Sequence, residues 1–355
     1  MQKKIKVFHG LVNYGTQAGL FALELRNQGI DAISVVYNDL SKRKTDIELL
    51  YGGNFIQKVF KHSWNYLRKI YWFFKFNTFH FYFGKTLFPN QIDLPFYRFF
   101  GKKVIMEYLG NDIRHYKTLV ERYNLSKNHD FFQQMEEHDR KTAKRIKNEE
   151  KYLDYKLCCL PNHIDLAKSY NYRINEVLPL SLNINDIKYK ELKKKTPDKL
   201  LKILHAPTKR GFKGTIYIER AIATLQKEGY AIDFKIAEGI THKELFKEYE
   251  RCDIFIDQIS VGWYGTASLE SMAVGRPTCA YIDERYFQYI NYADEIPLIN
   301  VTPENVTDKL RELISNREQL PDIGKRSREF VEKYHDVKNV TKKLIDIYQN
   351  KVWKQ

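Results

Sequence analysis

Ile203-Leu-His-Ala-Pro-Thr-Lys-Arg-Gly-Phe-Lys-Gly214 and Asp257-Gln-Ile-Ser-Val-Gly-Trp-Tyr-Gly-Thr-Ala-Ser-Leu-Glu-Ser-Met-Ala-Val-Gly-Arg-Pro277 carry the reading of this chain. Each begins where a short apolar run ends, crosses a loop containing glycine and enters a helical pattern. Such strand–loop–helix steps recur along the sequence. Apolar runs at Ile5–Phe8, Ala32–Val36, Phe79–Phe83, Val104–Met106, Leu157–Leu160, Lys202–His205, Phe234–Ala237, Ile254–Asp257 and Thr278–Ile282 alternate with amphipathic segments. Strands alternating with helices of ten to fifteen residues specify βαβ units and parallel sheets. Right-handed crossovers then make the architecture doubly wound.

Local signals place the helix ends. Thr241-His-Lys-Glu244 is a capping box. Thr302-Pro303 reads as an N-cap followed by proline in the first turn. Thr215 reads as the cap of a helix that leaves at Glu228-Gly229, and Gly275 with Pro277 stops the helix that follows Gly265. The polar run Glu191–Asp198, broken by Pro197, suits a linker. The expected domains are therefore residues 1–182 and 183–335, with a tail, 336–355.

The chain has 355 residues, 43% hydrophobic and 29% charged, which excludes a disordered chain and a disulfide scaffold. Net charge is +15, and residues 1–180 hold most of it, with 29 basic against 18 acidic side chains. Phosphate-bearing ligands and anionic surfaces are the partners such a balance favours. Cys158, Cys159, Cys252 and Cys279 have neither Cys-x-x-Cys nor zinc-like spacing, so they read as buried thiols of a cytosolic protein. The start of the chain shows no signal-peptide pattern, and the most apolar stretch, Ile70–Phe83, is too short and polar to span a bilayer.

In open parallel sheets, ligands bind beyond the carboxyl ends of the strands. The loop after His205 puts Lys209, Arg210 and Lys213 there, a set that suits phosphate. Backbone N–H groups of Thr266 and Ala267, opened by Gly265, face an anion at a helix N-terminus. Glu270, one turn further, suits sugar hydroxyls rather than phosphate. Together these describe a nucleoside diphosphate site. The plainer reading of the first loop is a solvated basic turn.

These two stretches, with Gly324-Lys-Arg-Ser-Arg-Glu-Phe-Val-Glu-Lys-Tyr-His335, resemble the retaining glycosyltransferases of the GT-B fold. The likeness is good over about 200–350 and weaker over 1–180. It implies an α/β chain of two Rossmann-like, doubly wound domains facing across a cleft. It also implies a nucleotide-sugar donor on the C-terminal domain. Arg210 and Lys213 would hold the diphosphate and Glu270 the ribose, with base contacts near Glu238-Gly239-Ile240. The family's Glu-x7-Glu motif is degenerate: its first Glu would fall at Gly262, and Asp257 is a candidate substitute. The tail would cross back to the N-terminal domain.

The acceptor side falls to the N-terminal half. Asn13-Tyr-Gly-Thr-Gln-Ala-Gly19 follows the first strand, and with His9 it is the candidate substrate site (His9, Asn13, Tyr14, Gly15). Glu107-Tyr-Leu-Gly-Asn-Asp-Ile-Arg114 resembles the family's His-Gly-x-Asp segment, with Leu109 where His is common. Asp112 joins Glu270 as candidate catalytic carboxylate, and Arg114 as a substrate contact. A turn closed by Asn111 or Asp112 explains the same residues. His163 and His205 read more readily as structural. No Asp-x-Asp metal motif is evident, and with cations already facing the diphosphate a divalent metal is not needed to stabilise the leaving group, so the reading is metal-independent transfer with no cofactor beyond the donor.

Residues 55–100 interleave many aromatics, Trp64, Tyr71 and Trp72 among them, with seven Lys or Arg and one acid, Asp93. This reads equally as an interfacial helix on an anionic membrane, at the inner face of the cell membrane, or as a core helix and strand with a basic solvated face. No nucleic-acid module accompanies it. The expected function is sugar transfer to a glycan or lipid-linked acceptor in cell-surface polysaccharide synthesis. A nucleotide-sugar epimerase or hydrolase of the same fold and a non-catalytic membrane binder are the alternatives.

Overall fold

The computed structural model describes residues 4–37, 44–127, 129–194, 196 and 199–354. Lys195, Pro197 and Asp198 of the expected linker lie outside them. The chain forms two compact units. The first comprises Met1–His115, Glu136–Ser181 and Val337–Gln355; the second comprises Tyr116–Met135 and Leu182–Asp336.

The first unit carries strands β1 (Lys6–Leu11), β2 (Asp31–Tyr37), β3 (Ile47–Leu49), β4 (Thr78–Tyr82), β5 (Lys103–Tyr108), β6 (Tyr155–Cys158) and β7 (Glu176–Val177). They pair in the order β3-β2-β1-β4-β5-β6-β7, every pair parallel. Strand β4 is buried along its whole length, because helices cover both faces of such a sheet and leave no polar side to write into the sequence. The helices are α1 (Gln17–Asn27), α2 (Phe55–Lys75), α3 (Leu94–Phe99), α4 (Tyr116–Arg122, in the second unit), α5 (Asp130–Glu149, in the first unit from Glu136 on) and α6 (Asn162–Lys168). Strands β3 and β7 were not expected from sequence; at three and two residues they are too short to show a period.

The second unit carries β8 (Leu201–His205), β9 (Ile232–Ile236), β10 (Ile254–Ile256), β11 (Thr278–Ala280) and β12 (Ile299–Asn300) in the order β12-β11-β10-β8-β9, again all parallel. Its helices are α7 (Arg210–Lys213), α8 (Thr215–Lys227), α9 (His242–Arg251), α10 (Thr266–Val274), α11 (Val306–Ser315) and α12 (Leu320–Tyr334). Helix α13 (Val337–Asp346), continued by a π-helical turn Ile347–Val352, belongs to the first unit. There Val340, Leu344, Ile347 and Tyr348 join the core formed by Phe21, Leu25, Ile105 and Leu157.

Local signals and structure agree at α9, where Thr241 and Glu244 form the reciprocal capping box. They also agree at α10, whose exit Gly275 has φ +92°, a conformation open to glycine. Two expectations are corrected. Thr215 caps nothing: Gly214 at φ +76° precedes α8, and the Thr215 hydroxyl instead bonds His205 Nε2 at 2.9 Å. Thr302 stands before a turn in which Asn305 Oδ1 accepts from its N–H, so α11 starts only at Val306. All four cysteines are buried free thiols. Among the described residues no helix is long and apolar enough to cross a membrane.

Candidate functional site

Strand order fixes where each unit offers a crevice. In the second, the chain runs β8 to β9 on one side and then β10, β11, β12 on the other. The switch point lies between β8 and β10, and ligands bind at such points beyond the carboxyl ends. The loops leaving β8, β9 and β10, with the helices α7 and α10 they open, carry every candidate donor residue.

Arg210 is half exposed and its guanidinium bridges Glu219 Oε1 at 2.5 Å and Glu238 Oε2 at 2.8 Å. That bridge draws the Glu238-Gly239 turn, with Gly239 at φ +66°, beside the loop after β8. Lys213 is buried and pairs with the Asp257 carboxylate. Asp257 also accepts from Ser268 Oγ at 2.6 Å, so one carboxylate ties the β8 loop to α10. Burial alone would raise the Asp257 pKa; the Lys213 charge and the hydrogen bonds from Lys213 and Ser268 hold it below the ordinary carboxylate range. His205 is buried and spent on structure: Nδ1 meets Ile256 O at 2.8 Å and Nε2 meets Thr215.

Gly265 precedes α10, so Thr266 and Ala267 sit in a first turn whose N–H groups have no intrahelical acceptor. Glu270, nearly buried, meets His242 Nε2 at 2.7 Å. Sequence reading missed His242. The structure also explains Gly262. A Cβ there would collide with the Cβ of Asp283 and lie 3.0 Å from Tyr123 Oη. The Asp283 carboxylate, held by Arg285 Nε at 2.7 Å and Tyr123 Oη at 3.1 Å, therefore stands beside the vacant position, whereas Asp257 is engaged by Lys213. Asp283 caps its own turn through Arg285 N, a local signal, but its meeting with Tyr123, 160 residues away, has no short-range signal.

In the first unit the switch point lies between β1 and β4. A cavity of about 1180 Å³ opens there, lined by Leu11–Tyr14, Tyr37, Gly84–Thr86, Phe88–Gln91, Lys141, Lys144, Arg145 and Asn148. Of the candidate substrate residues, Asn13 and Tyr14 are in this lining. Gly15, at φ +53°, turns the chain just beyond it, and Tyr14 stacks on Phe83. His9 lies beneath, fully buried, with Nδ1 2.6 Å from Tyr82 Oη; burial and His80 push its pKa well down.

His80, in turn, lies 2.7 Å from Tyr348 Oη and 3.0 Å from Glu107 Oε2. Burial drives the His80 pKa to about 3 and that of Glu107 to about 8, so the two meet as neutral hydrogen-bond partners. Asp112 is turned onto its own loop, accepting from Gly110 N at 2.7 Å and Leu109 N at 3.1 Å, while burial lifts it to about 6. Arg114 donates to Asn111 Oδ1 at 2.8 Å.

Lys141, Lys144 and Arg145 were missed by sequence reading. Their i, i+3, i+4 spacing puts them on one face of α5, which is a legible signal. Lys141 pairs with Glu137, and Arg145 with Glu149 at 2.8 Å. Lys85 and Lys144 add charge to a lining that contains no Asp or Glu among its described residues.

No protein-family model matches the chain, and no curated protein matches its sequence. Solved structures do match its fold. Sucrose-phosphate synthase from Thermosynechococcus elongatus superposes with TM-score 0.64 at 14% identity, covering 98% of both chains. HepE from Anabaena, in complex with UDP, superposes with TM-score 0.61 at 10% identity over 97% of this chain and 99% of its own. The lipopolysaccharide outer core galactosyltransferase WaaB gives TM-score 0.57 at 11% identity over 97% and 98%. The fold is GT-B: two Rossmann-like α/β units with parallel sheets.

Proposed function

We propose that the protein is a glycosyltransferase that moves a sugar from a nucleoside-diphosphate-sugar to a glycan or lipid-linked acceptor in cell-surface polysaccharide synthesis. One observation carries the reading: the segments leaving β8 and β10 at the switch point of the second unit bring a guanidinium, a helix N-terminus and a nearly buried carboxylate. That is one group for each part of a nucleoside diphosphate. The fold, shared with a UDP-bound protein and with a galactosyltransferase, supports it.

Arg210 exchanges one of its carboxylate partners for the diphosphate, and the first-turn N–H groups of α10 take the other phosphate. Glu270, oriented by His242, accepts from the ribose hydroxyls. Lys213 and Asp257 hold the two loops in register. As the bond from sugar to diphosphate breaks, negative charge builds on the leaving phosphate, where Arg210 and the helix N-terminus already point; this stabilisation is the main catalytic contribution and uses no metal. The acceptor occupies the cavity of the first unit, and the lysines there select one that carries negative charge. Retention of configuration goes with the resemblance.

The test is a thermal-shift panel of UDP, GDP, ADP, CMP and their sugars on wild type and Arg210→Ala. A ligand at 100 times its Kd adds about 2.7 kcal/mol, a shift of several degrees. One nucleotide should shift the wild type and lose most of its effect in the variant. Product analysis by NMR then reads the anomer formed. An epimer or free sugar released without acceptor would assign the site to epimerisation or hydrolysis, and no shift with any nucleotide would overturn the donor site.

A further inference from the structure

Helix α2 turns its apolar side outward. The side chains it buries are Asn65, Lys69, Trp72 and Phe73. Its exposed side holds Ile56, Phe60, Trp64, Leu67, Tyr71 and Phe74. Their spacing of four, four, three, four and three residues is that of one continuous stripe over five turns. Phe60 is 71% exposed and Phe74 62%. The stripe continues onto α3: the Phe100 ring meets the Phe74 ring at 5.7 Å, and Phe99 beside it is 81% exposed. An isolated exposed leucine needs no explanation, but a stripe of this length marks a surface that is covered in use.

Charge identifies what covers it. Lys61, Arg68 and Lys75, seven residues apart, run along one border of the stripe. Arg68 lies over the Trp72 ring at 4.9 Å, its charged end held at the helix flank. Between residues 55 and 100 the single acid, Asp93, is buried against Thr86 and Tyr97. A second copy of this face would set cations against cations. An apolar stripe with a cationic border and no exposed acid complements anionic headgroups above acyl chains.

We infer that α2 and α3 dock the first unit on an anionic lipid bilayer, with α2 lying in the interface plane and its aromatic stripe in the headgroup–acyl boundary. The inner face of the same helix reaches the cavity wall: Lys69 Nζ donates to Tyr37 Oη at 2.6 Å, and the Tyr66 ring meets Phe88 at 5.6 Å. Tyr37 and Phe88 both line the cavity. If the cavity takes the acceptor, as proposed above, docking presents it to lipid-linked molecules.

The experiment is vesicle flotation of the full chain with phosphatidylglycerol or phosphatidylcholine liposomes, without nucleotide, so its result is independent of the donor site. Wild type should float with the anionic vesicles, far less with the zwitterionic ones, and less as salt rises. Trp64→Ser/Leu67→Ser should weaken partitioning about tenfold or more. Lys61→Gln/Arg68→Gln should weaken it about thirtyfold on anionic vesicles alone. All four positions are at the surface, and circular dichroism confirms that each variant is folded. Wild type left unbound by anionic vesicles at low salt would overturn the inference, as would equal binding by the stripe variant. A wild-type dimer that Trp64→Ser/Leu67→Ser converts to monomer would overturn it in favour of a second copy.

Discussion

Replacing Lys213 with methionine keeps the volume of the side chain and removes its charge from beside Asp257. That carboxylate is fully buried and, among the described residues, keeps only Ser268 as a side-chain donor. Removing one partner of a buried pair costs about 3–5 kcal/mol, because the other charge stays in a low dielectric. For a unit of this size that lowers the melting temperature by roughly 10 °C. The pH dependence carries the sharper signature. In the wild type the folded pKa of Asp257 is depressed, so its stabilisation is present above about pH 4 and is lost only as pH falls through that depressed value. In Lys213→Met burial acts alone and raises the pKa. The folded variant then binds a proton that the unfolded chain has released, and the variant gains stability as pH falls from 7 towards 5. The gap between variant and wild type should therefore narrow over that range. Calorimetric melts at pH 7 and 5 measure the gap, with hydrogen exchange of peptides spanning residues 254–274 assigning it to the loop. A gap under about 1 kcal/mol, or one equal at both pH values, would refute the reasoning. Lys213→Met/Asp257→Asn should recover most of the loss, since replacing both partners of a buried pair is often close to neutral.

Three further outcomes are expected. Glu107→Gln should become more stable relative to wild type as pH rises. Native Glu107 holds its proton up to about pH 8, whereas the unfolded chain releases it near pH 4.5, so wild-type stability falls between those values and the variant's does not. Urea midpoints at pH 5, 7 and 9 test this, and a constant difference would count against a neutral Glu107. Gly262→Ala should cost about 1–3 kcal/mol by overpacking against Asp283, and Gly262→Glu should not raise activity; a melt of Gly262→Ala matching wild type would show that Asp283 moves aside freely. Lys85→Gln/Lys144→Gln should raise the KM for a charged acceptor about tenfold and leave the thermal shift by nucleotide unchanged, while an unchanged KM would remove the anionic-acceptor reading.

The elements and their class were written locally. Nine apolar runs, the capping box at Thr241 and the glycine stop at Gly275 depend on neighbours within a few residues, and each has its own period or turn chemistry. The residues gathered at the second unit's switch point were legible for the same reason, because the loop after a parallel strand always faces the carboxyl edge. What the sequence left open is which side chains meet across the chain. Tyr123 reaches Asp283, Lys141 and Lys144 join Asn13 at one cavity, and Tyr348 closes onto His80, because strand order brings segments more than a hundred residues apart to one edge or core. For α2 the interleaved aromatic and basic residues left open whether the aromatics faced the core or a surface. The tertiary structure buried Asn65 and Lys69, whose polar ends find Leu50 O and Tyr37 Oη, and left the aromatic stripe outside. Trp72 and Phe73 are buried beside them, and burying Asn65 and Lys69 is tolerated because each finds a hydrogen-bond partner inside the folded unit.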